Sequence, residues 1–200
     1  MKGYTKPLLL IFLVLLIDQA SKVWVKTNMF LGQEFKIFGD WFIIHFTENN
    51  GMAFGLEFGG EFGKLALSLF RVIAVAGIGY GLHYLIQKKY HRGLILNVAL
   101  VFAGALGNII DSVFYGVIYE YETLFHGRVV DMLYFPIVDT HFPTWFPIWG
   151  GEELVFFRPV FNIADTAISV GVITIMIFQK TYFKEEIHDE IGINNETVED

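Results

Sequence analysis

The sequence predicts an all-α membrane protein: four transmembrane helices, a small β-like platform outside the membrane and a second, aromatic-rich outer loop. Three observations carry that expectation. Of 200 residues, 54% are hydrophobic and only 18% charged, too apolar for an ordinary soluble domain. Four stretches, about 7–25, 65–87, 94–117 and 159–182, approach the roughly 20 apolar residues that a spanning helix requires. Between them lie two long segments, about 26–63 and 118–158, whose patterning differs from that of the helices.

The first stretch opens on Lys2 and Lys6 ahead of a Leu-rich core, which also fits a secretory signal peptide. The small-residue cleavage pattern is missing, however, and the apolar run continues through Asp18 and Lys22 to Val25, so a retained helix is expected. Segment 26–63 alternates with period two around Trp41–Phe46, followed by Gly55, Gly59 and Gly60, as an extended platform on a membrane surface would. Segment 118–158 carries His141-Phe-Pro-Thr-Trp-Phe-Pro-Ile-Trp149, aromatics suited to the headgroup zone. Both segments fit interfacial anchoring, a cradle over a site, or both. The tail 184–200 is acidic and expected to be solvated. Residues 1–183 are thus read as one integral membrane domain and 184–200 as a cytoplasmic tail.

Charge sets the expected orientation. The short loop Lys88-Lys89-Tyr90-His91-Arg92 is densely positive and argues for the cytoplasmic side, to which Lys2, Lys6, Lys180 and Lys184 then also fall. The remaining half of the Lys and Arg residues is spread among acids over the other side. Both termini are therefore expected inside.

Chemistry is narrowed by absence. With no cysteine, thiolate catalysis and Cys-ligated metal sites are excluded. A net charge of −7 gives no reason to expect nucleic acid. The histidines show no metal-ligand spacing, no Gly-x-Ser-x-Gly elbow occurs, and Ser21 and Lys22, adjacent on a helix, diverge too far for a dyad. No metal site is expected from these residues.

What remains is polar residues inside apolar helices. If helix direction alternates, Asp18 and Lys22, four apart on one face, lie in the outer half of the first helix and can pair. Arg71 lies near the outer start of the second, where snorkelling suffices to explain it. Asn108 and Asp111 come at the outer end of the third helix, after about 20 Å of rise. Asn162 and Asp165 open the fourth, and Asp131 arrives from the loop just outside. Ionised carboxylates near hydrocarbon are costly and usually face a partner, a water pocket or a substrate path. Acids confined together raise the pKa of at least one, so that one proton is shared. Such a pair suits hydrolysis: one member takes a proton from water while the other polarises a carbonyl. The alternative is structural, each aspartate bonded to a helix end or an arginine.

Five blocks in order, Asp18-Gln-Ala-Ser-Lys22, Asn49-Asn-Gly-Met-Ala-Phe-Gly55, Gly104-Ala-Leu-Gly-Asn-Ile-Ile-Asp111, Gly127-Arg-Val-Val-Asp131 and Phe161-Asn-Ile-Ala-Asp165, together resemble the bacterial lipoprotein signal peptidase (signal peptidase II) family over nearly the whole chain. The resemblance implies an aspartic endopeptidase of the bacterial inner membrane. Such an enzyme frees the signal peptide by cutting prolipoproteins before their diacylglyceryl-modified cysteine, without a cofactor. It implies Asp131 and Asp165 as the catalytic pair, with Asn108, Asp111 and Asn162 around them. It also implies that Asn50 and Gly51 meet the substrate or the cyclic-peptide inhibitor globomycin, and that Asp18 and Lys22 are structural support. Lipidated precursors, membrane lipid and globomycin are the implied partners. A site built within one chain needs no partner subunit, so a monomer is expected.

Two departures stand out. Many members carry Arg directly after the aspartate of the Gly-Asn-x-x-Asp block, where this chain has Ser112; another cation, Arg71 or Arg128, is expected to serve instead. The stretch between Asp131 and Asp165 is also longer than in many members, and Phe142–Trp149 is expected to form an added lid or membrane-surface element. Two rival classes compete. A proton-coupled carrier would also bury Asp, Lys and Asn, though no inverted repeat is visible. A membrane scaffold would account for the aromatic loops but not for the aspartate motifs.

Overall fold

The computed structural model describes residues 3–50, 60–136, 138–141, 151, 153–156 and 159–183. Gly51, the stretch 142–149 and the tail 184–200 lie outside the described residues. The helices are α1 (Thr5–Asn28), α2 (Gly60–Gln87), α3 (Arg92–Ile110), the single turn α4 (Gly116–Ile118) and α5 (Ile163–Tyr182). Asp111–Tyr115, joining α3 to α4, is π-helical. Among the described residues, four helices are long and apolar enough to cross a membrane, α3 through α4 counting as one.

The helices are amphipathic in reverse. Along α1 the buried residues Ile11, Asp18, Lys22 and Val25 recur at helical spacing and include two charges. Leu8, Leu9, Phe12, Leu16 and Ile17 are instead more than half exposed. A side chain with hydrocarbon around it gains nothing from facing inward, whereas a charge does. Helix α3 is the central column, packed against α1, α2 and α5. Small residues permit the closest approach: a Cβ on Gly104 would lie 2.2 Å from the carbonyl oxygen of Ala164, on α5.

The strands are β1 (Glu34–Phe38), β2 (Phe42–Asn49), β3 (Val129–Tyr134), β4 (Val138–His141), β5 (Glu153–Phe156) and β6 (Val160–Phe161). One antiparallel sheet has the order β1-β2-β3-β6; β4 and β5 form a separate hairpin. Sequence reading expected the platform from the first outer segment alone and Asp131 on a loop. In the structure β3 and β6 of the second segment join the sheet, and Asp131 sits on β3 opposite Thr47. The run Val129–Met132 is buried throughout, so it lacks the alternation that marks a half-exposed strand. Edge strand β1 is exposed along its whole length.

The last helix also starts later than expected, at Ile163 rather than 159. Val160–Phe161 pair with β3 instead, and Asn162 caps the helix. Its side chain accepts from Asp165 N, and Asp165 answers to the backbone N of Asn162, a reciprocal capping box. The sheet is fixed to the bundle by an apolar cluster of Val25, Met29, Phe46, Tyr115, Val130 and Met132. Asp131 and Asp165 are thereby carried on a rigid strand and on the first turn of a helix.

Candidate active site

Lys22 is wholly buried and its ammonium donates three ways: to Asp18 Oδ2 at 3.0 Å, Asp111 Oδ2 at 2.8 Å and Asn108 Oδ1 at 3.0 Å. Three donors meet three acceptors, which is what a buried ammonium requires. Asp18 also takes the N–H of Ala164 at 2.9 Å, tying α1 to the first turn of α5. Asp111 accepts from the backbone of Val130 at 3.3 Å, tying the end of α3 to β3. Gln19 spans both acids, donating to Asp18 Oδ2 and Asp111 Oδ1 at 3.0 Å each, while its own oxygen accepts from Tyr115.

From this base two amides reach outward. Asn108 Nδ2 donates to Asp165 Oδ1 at 2.8 Å. Asn162 Nδ2 donates to Asp131 Oδ1 at 2.7 Å and also lies 3.2 Å from Asn108 Oδ1. The backbone N of Asn162 meets Asp165 Oδ2 at 3.4 Å. Asn162 therefore touches both carboxyls, one with its side chain and one with its main chain. Asp131 is buried and Asp165 half-buried. Burial, and then the charge of Asp165, push the carboxyl of Asp131 up to about 7, despite hydrogen bonds from Asn162 and Asn49 and the presence of Lys22.

The residues expected at the site separate into two groups. Asp18, Lys22, Asn108, Asp111, Asn162, Asp131 and Asp165 form one continuous hydrogen-bonded network. Arg128 stands apart from it, its Nη1 3.3 Å from Glu48 Oε2 and its guanidinium over the Tyr121 ring. Lys26 is the other partner of Glu48. Asn50, just past the end of β2, accepts from Lys64 Nζ at 3.2 Å. Among the described residues, the cation in contact with Asp111 is neither Arg71 nor Arg128 but Lys22. Arg71 instead donates from Nη1 to Ser112 Oγ at 3.1 Å. Sequence reasoning missed Gln19, Asn49 and Tyr115. Gln19 sits within the quoted Asp18–Lys22 block, but a neutral amide beside an acid signals little until the fold shows what it bridges.

Comparison with known proteins follows the architecture. One solved bacterial membrane enzyme, determined by the in meso method at 2.3 Å, superposes with TM-score 0.58 at 25% identity, over 97% of this chain and 94% of that one. A second, determined at 1.9 Å, superposes with TM-score 0.60 at 29% identity, over 86% and 90%. Fold and buried polar network thus define a multi-pass membrane enzyme. The family model described as signal peptidase (SPase) II matches residues 10–181. The lipoprotein signal peptidase of Porphyromonas gingivalis (strain ATCC 33277) is 50% identical over 184 residues, 84% of this chain and 80% of that protein. That of Amoebophilus asiaticus (strain 5a2) is 36% identical over 88% of this chain and 78% of the relative. This chain belongs to the signal peptidase II family, bacterial membrane proteases that remove the signal peptides of prolipoproteins.

Proposed function

We propose that Asp131 and Asp165 are the catalytic dyad of an aspartic endopeptidase that hydrolyses the peptide bond before the diacylglyceryl-modified cysteine of a prolipoprotein. The observation that carries this reading is Asn162, whose side-chain amide and backbone N–H hold one carboxyl each. Asp131, pushed up to about 7, is the member that keeps a proton below neutrality. The carboxylate of Asp165 takes a proton from water as the oxygen attacks the scissile carbonyl, and Asp131 gives its proton to the carbonyl oxygen. In the collapse Asp165 returns a proton to the amide nitrogen, Asp131 recovers one from a hydroxyl, and the C–N bond breaks. Asn108 and Asn162 hold the carboxyls in place, and the Lys22 network holds the asparagines.

In this reading the sheet end of the bundle faces outward across the inner membrane and both termini are cytoplasmic. Residues 1–183 work as one monomeric unit, with 184–200 as a cytoplasmic tail. The substrate's acyl chains stay in hydrocarbon while its peptide lies extended along the sheet near Trp41–Phe46. Its backbone is held by polar groups such as Asn50, and globomycin would occupy the same groove. Substrate crosslinks confined to the inner leaflet would rule out that docking.

The deciding experiment gives the purified chain, in detergent, a lipidated precursor peptide. Asp131→Asn and Asp165→Asn should each lower cleavage by at least about a hundredfold, with folding intact. Wild-type turnover by either variant removes the dyad. Substrate flux in proteoliposomes without cleavage would favour a proton-coupled carrier instead.

A further inference from the structure

Arg71 sits about three turns into α2, half-buried, and the dyad mechanism above leaves it unused. Its Nη1 donates to Ser112 Oγ at 3.1 Å, and that hydroxyl in turn donates to Asn108 O at 2.9 Å. Ser112 lies in the π-helical stretch, where one wider turn moves a side chain off the regular helical face. A neutral hydroxyl therefore anchors an arginine to the residue whose amide holds Asp165. Asp165, Asp131 and Asp111 all act electrostatically on this guanidinium.

The charges around the dyad are placed unequally. Lys22, from α1, is committed to Asp18, Asp111 and Asn108. On the sheet, Glu48 is engaged by Lys26 and Arg128. Helix α2 contributes Lys64, which donates to Asn50, and Arg71, whose guanidinium feels Asp165, Asp131 and Asp111. Asp165 also accepts from Asn108 Nδ2 and sits in the first turn of α5, where the helix dipole favours negative charge.

We propose that Arg71, tethered by Ser112, is a positioning residue that fixes the negative charge of the dyad on Asp165 and so leaves the shared proton on Asp131. The proposal rests on the dyad reading. It assigns the two acids different tasks before substrate arrives, Asp165 as the base toward water and Asp131 as the donor toward the carbonyl. It also gives Ser112 a task of its own: presenting a cation that comes from a different helix.

The test is the pH profile of kcat for the full chain in detergent, with a lipidated precursor peptide, for wild type, Arg71→Lys, Arg71→Gln and Ser112→Ala. Without the cation, the carboxylate that must be ionised to activate water binds its proton more tightly. The ascending limb of the Arg71→Gln profile should therefore move to higher pH, by about one unit. On the acid side of that limb kcat should fall by up to about tenfold, with KM within about threefold. Arg71→Lys keeps the charge and should restore the limb; Ser112→Ala should move it part of the way. Thermal melts of the same preparations separate loss of fold from loss of charge. An Arg71→Gln limb coincident with wild type overturns the proposal, as does equal damage by Lys and Gln with neither limb displaced. Asp131→Asn and Asp165→Asn run alongside: inactive dyad variants with an unmoved Arg71→Gln profile would sink only the arginine, whereas active ones would sink the dyad.

Discussion

Lys22 shows how much one buried charge can organise. Asp18, Asp111 and Asn108 converge on its ammonium from two helices, and all three charged side chains are fully buried. Lys22→Met would leave two acids facing one another without a counter-charge. We expect a loss of about 3–5 kcal/mol, read as a lower midpoint of thermal or denaturant unfolding in detergent; Lys22→Arg should lose less. Asp131 gives a second residue-scale expectation. Its folded carboxyl is pushed up to about 7, above the roughly 3.9 of an unfolded aspartate. Between those values the folded chain holds a proton that the unfolded chain has released. This group's contribution to stability is thus complete below about 4 and is lost as pH rises through 7. Cleavage should likewise decline above about 7, as the dyad loses its shared proton. Asp131→Asn should flatten that part of the stability profile and melt no lower than wild type at pH 8, while the proposed dyad requires that it not cleave. A wild-type melting temperature that rises from pH 5 to pH 8 would contradict the burial argument.

At the scale of elements, the site depends on how closely α3 approaches its neighbours. A Cβ on Gly107 would lie 2.7 Å from Asp18 Oδ2 and 3.3 Å from the Ala164 side chain. Gly107→Ala should therefore separate α3 from α1 and α5 and destabilise the fold by about 1–3 kcal/mol. Cleavage should fall with it, because the same shift moves Asn108 away from Asp165. Unchanged stability and turnover would mean that the helices can part without the site noticing. The sheet matters in the same way. Aromatic rings run from Phe38 through Trp41 and Phe42 to Phe135 and Phe161, with Phe42 and Phe135 stacked at 4.7 Å. The row passes from β1 and β2 through Phe135, just past β3, to Phe161 on β6 beside Asn162, so the exposed tip of the sheet and the first turn of α5 are coupled by packing.

For the whole molecule, the topology proposed above puts both termini on the cytoplasmic side and the sheet on the other. The absence of cysteine makes this simple to test. In intact cells, Asp40→Cys at the tip of the sheet should react with a membrane-impermeant maleimide, whereas Lys88→Cys should react only after permeabilisation. The opposite pattern would invert the topology and put the site on the cytoplasmic side. In this architecture lipid, rather than a second layer of protein, covers the apolar helix faces. That arrangement leaves the interior free for polar residues.

Much of this was legible in the sequence, and the reasons are local. Long apolar runs announce spanning helices because a helix in hydrocarbon must satisfy its own backbone. Acids and amides inside such runs announce a site because their burial is costly. Asp18, Lys22, Asn108, Asp111, Asn162, Asp131 and Asp165 could therefore be named beforehand. The β3 assignment could not: Val129–Met132 is buried on both faces, so no alternation of buried and exposed residues marks it as a strand. Nor could the sequence say which cation meets which acid. Lys22 reaching Asp111, Arg128 turning to Glu48 and Arg71 reaching Ser112 are all contacts between residues distant in the chain. Hydropathy and motif order are summed along the sequence, but the partner of a charge is chosen in three dimensions, by the distances that packing leaves.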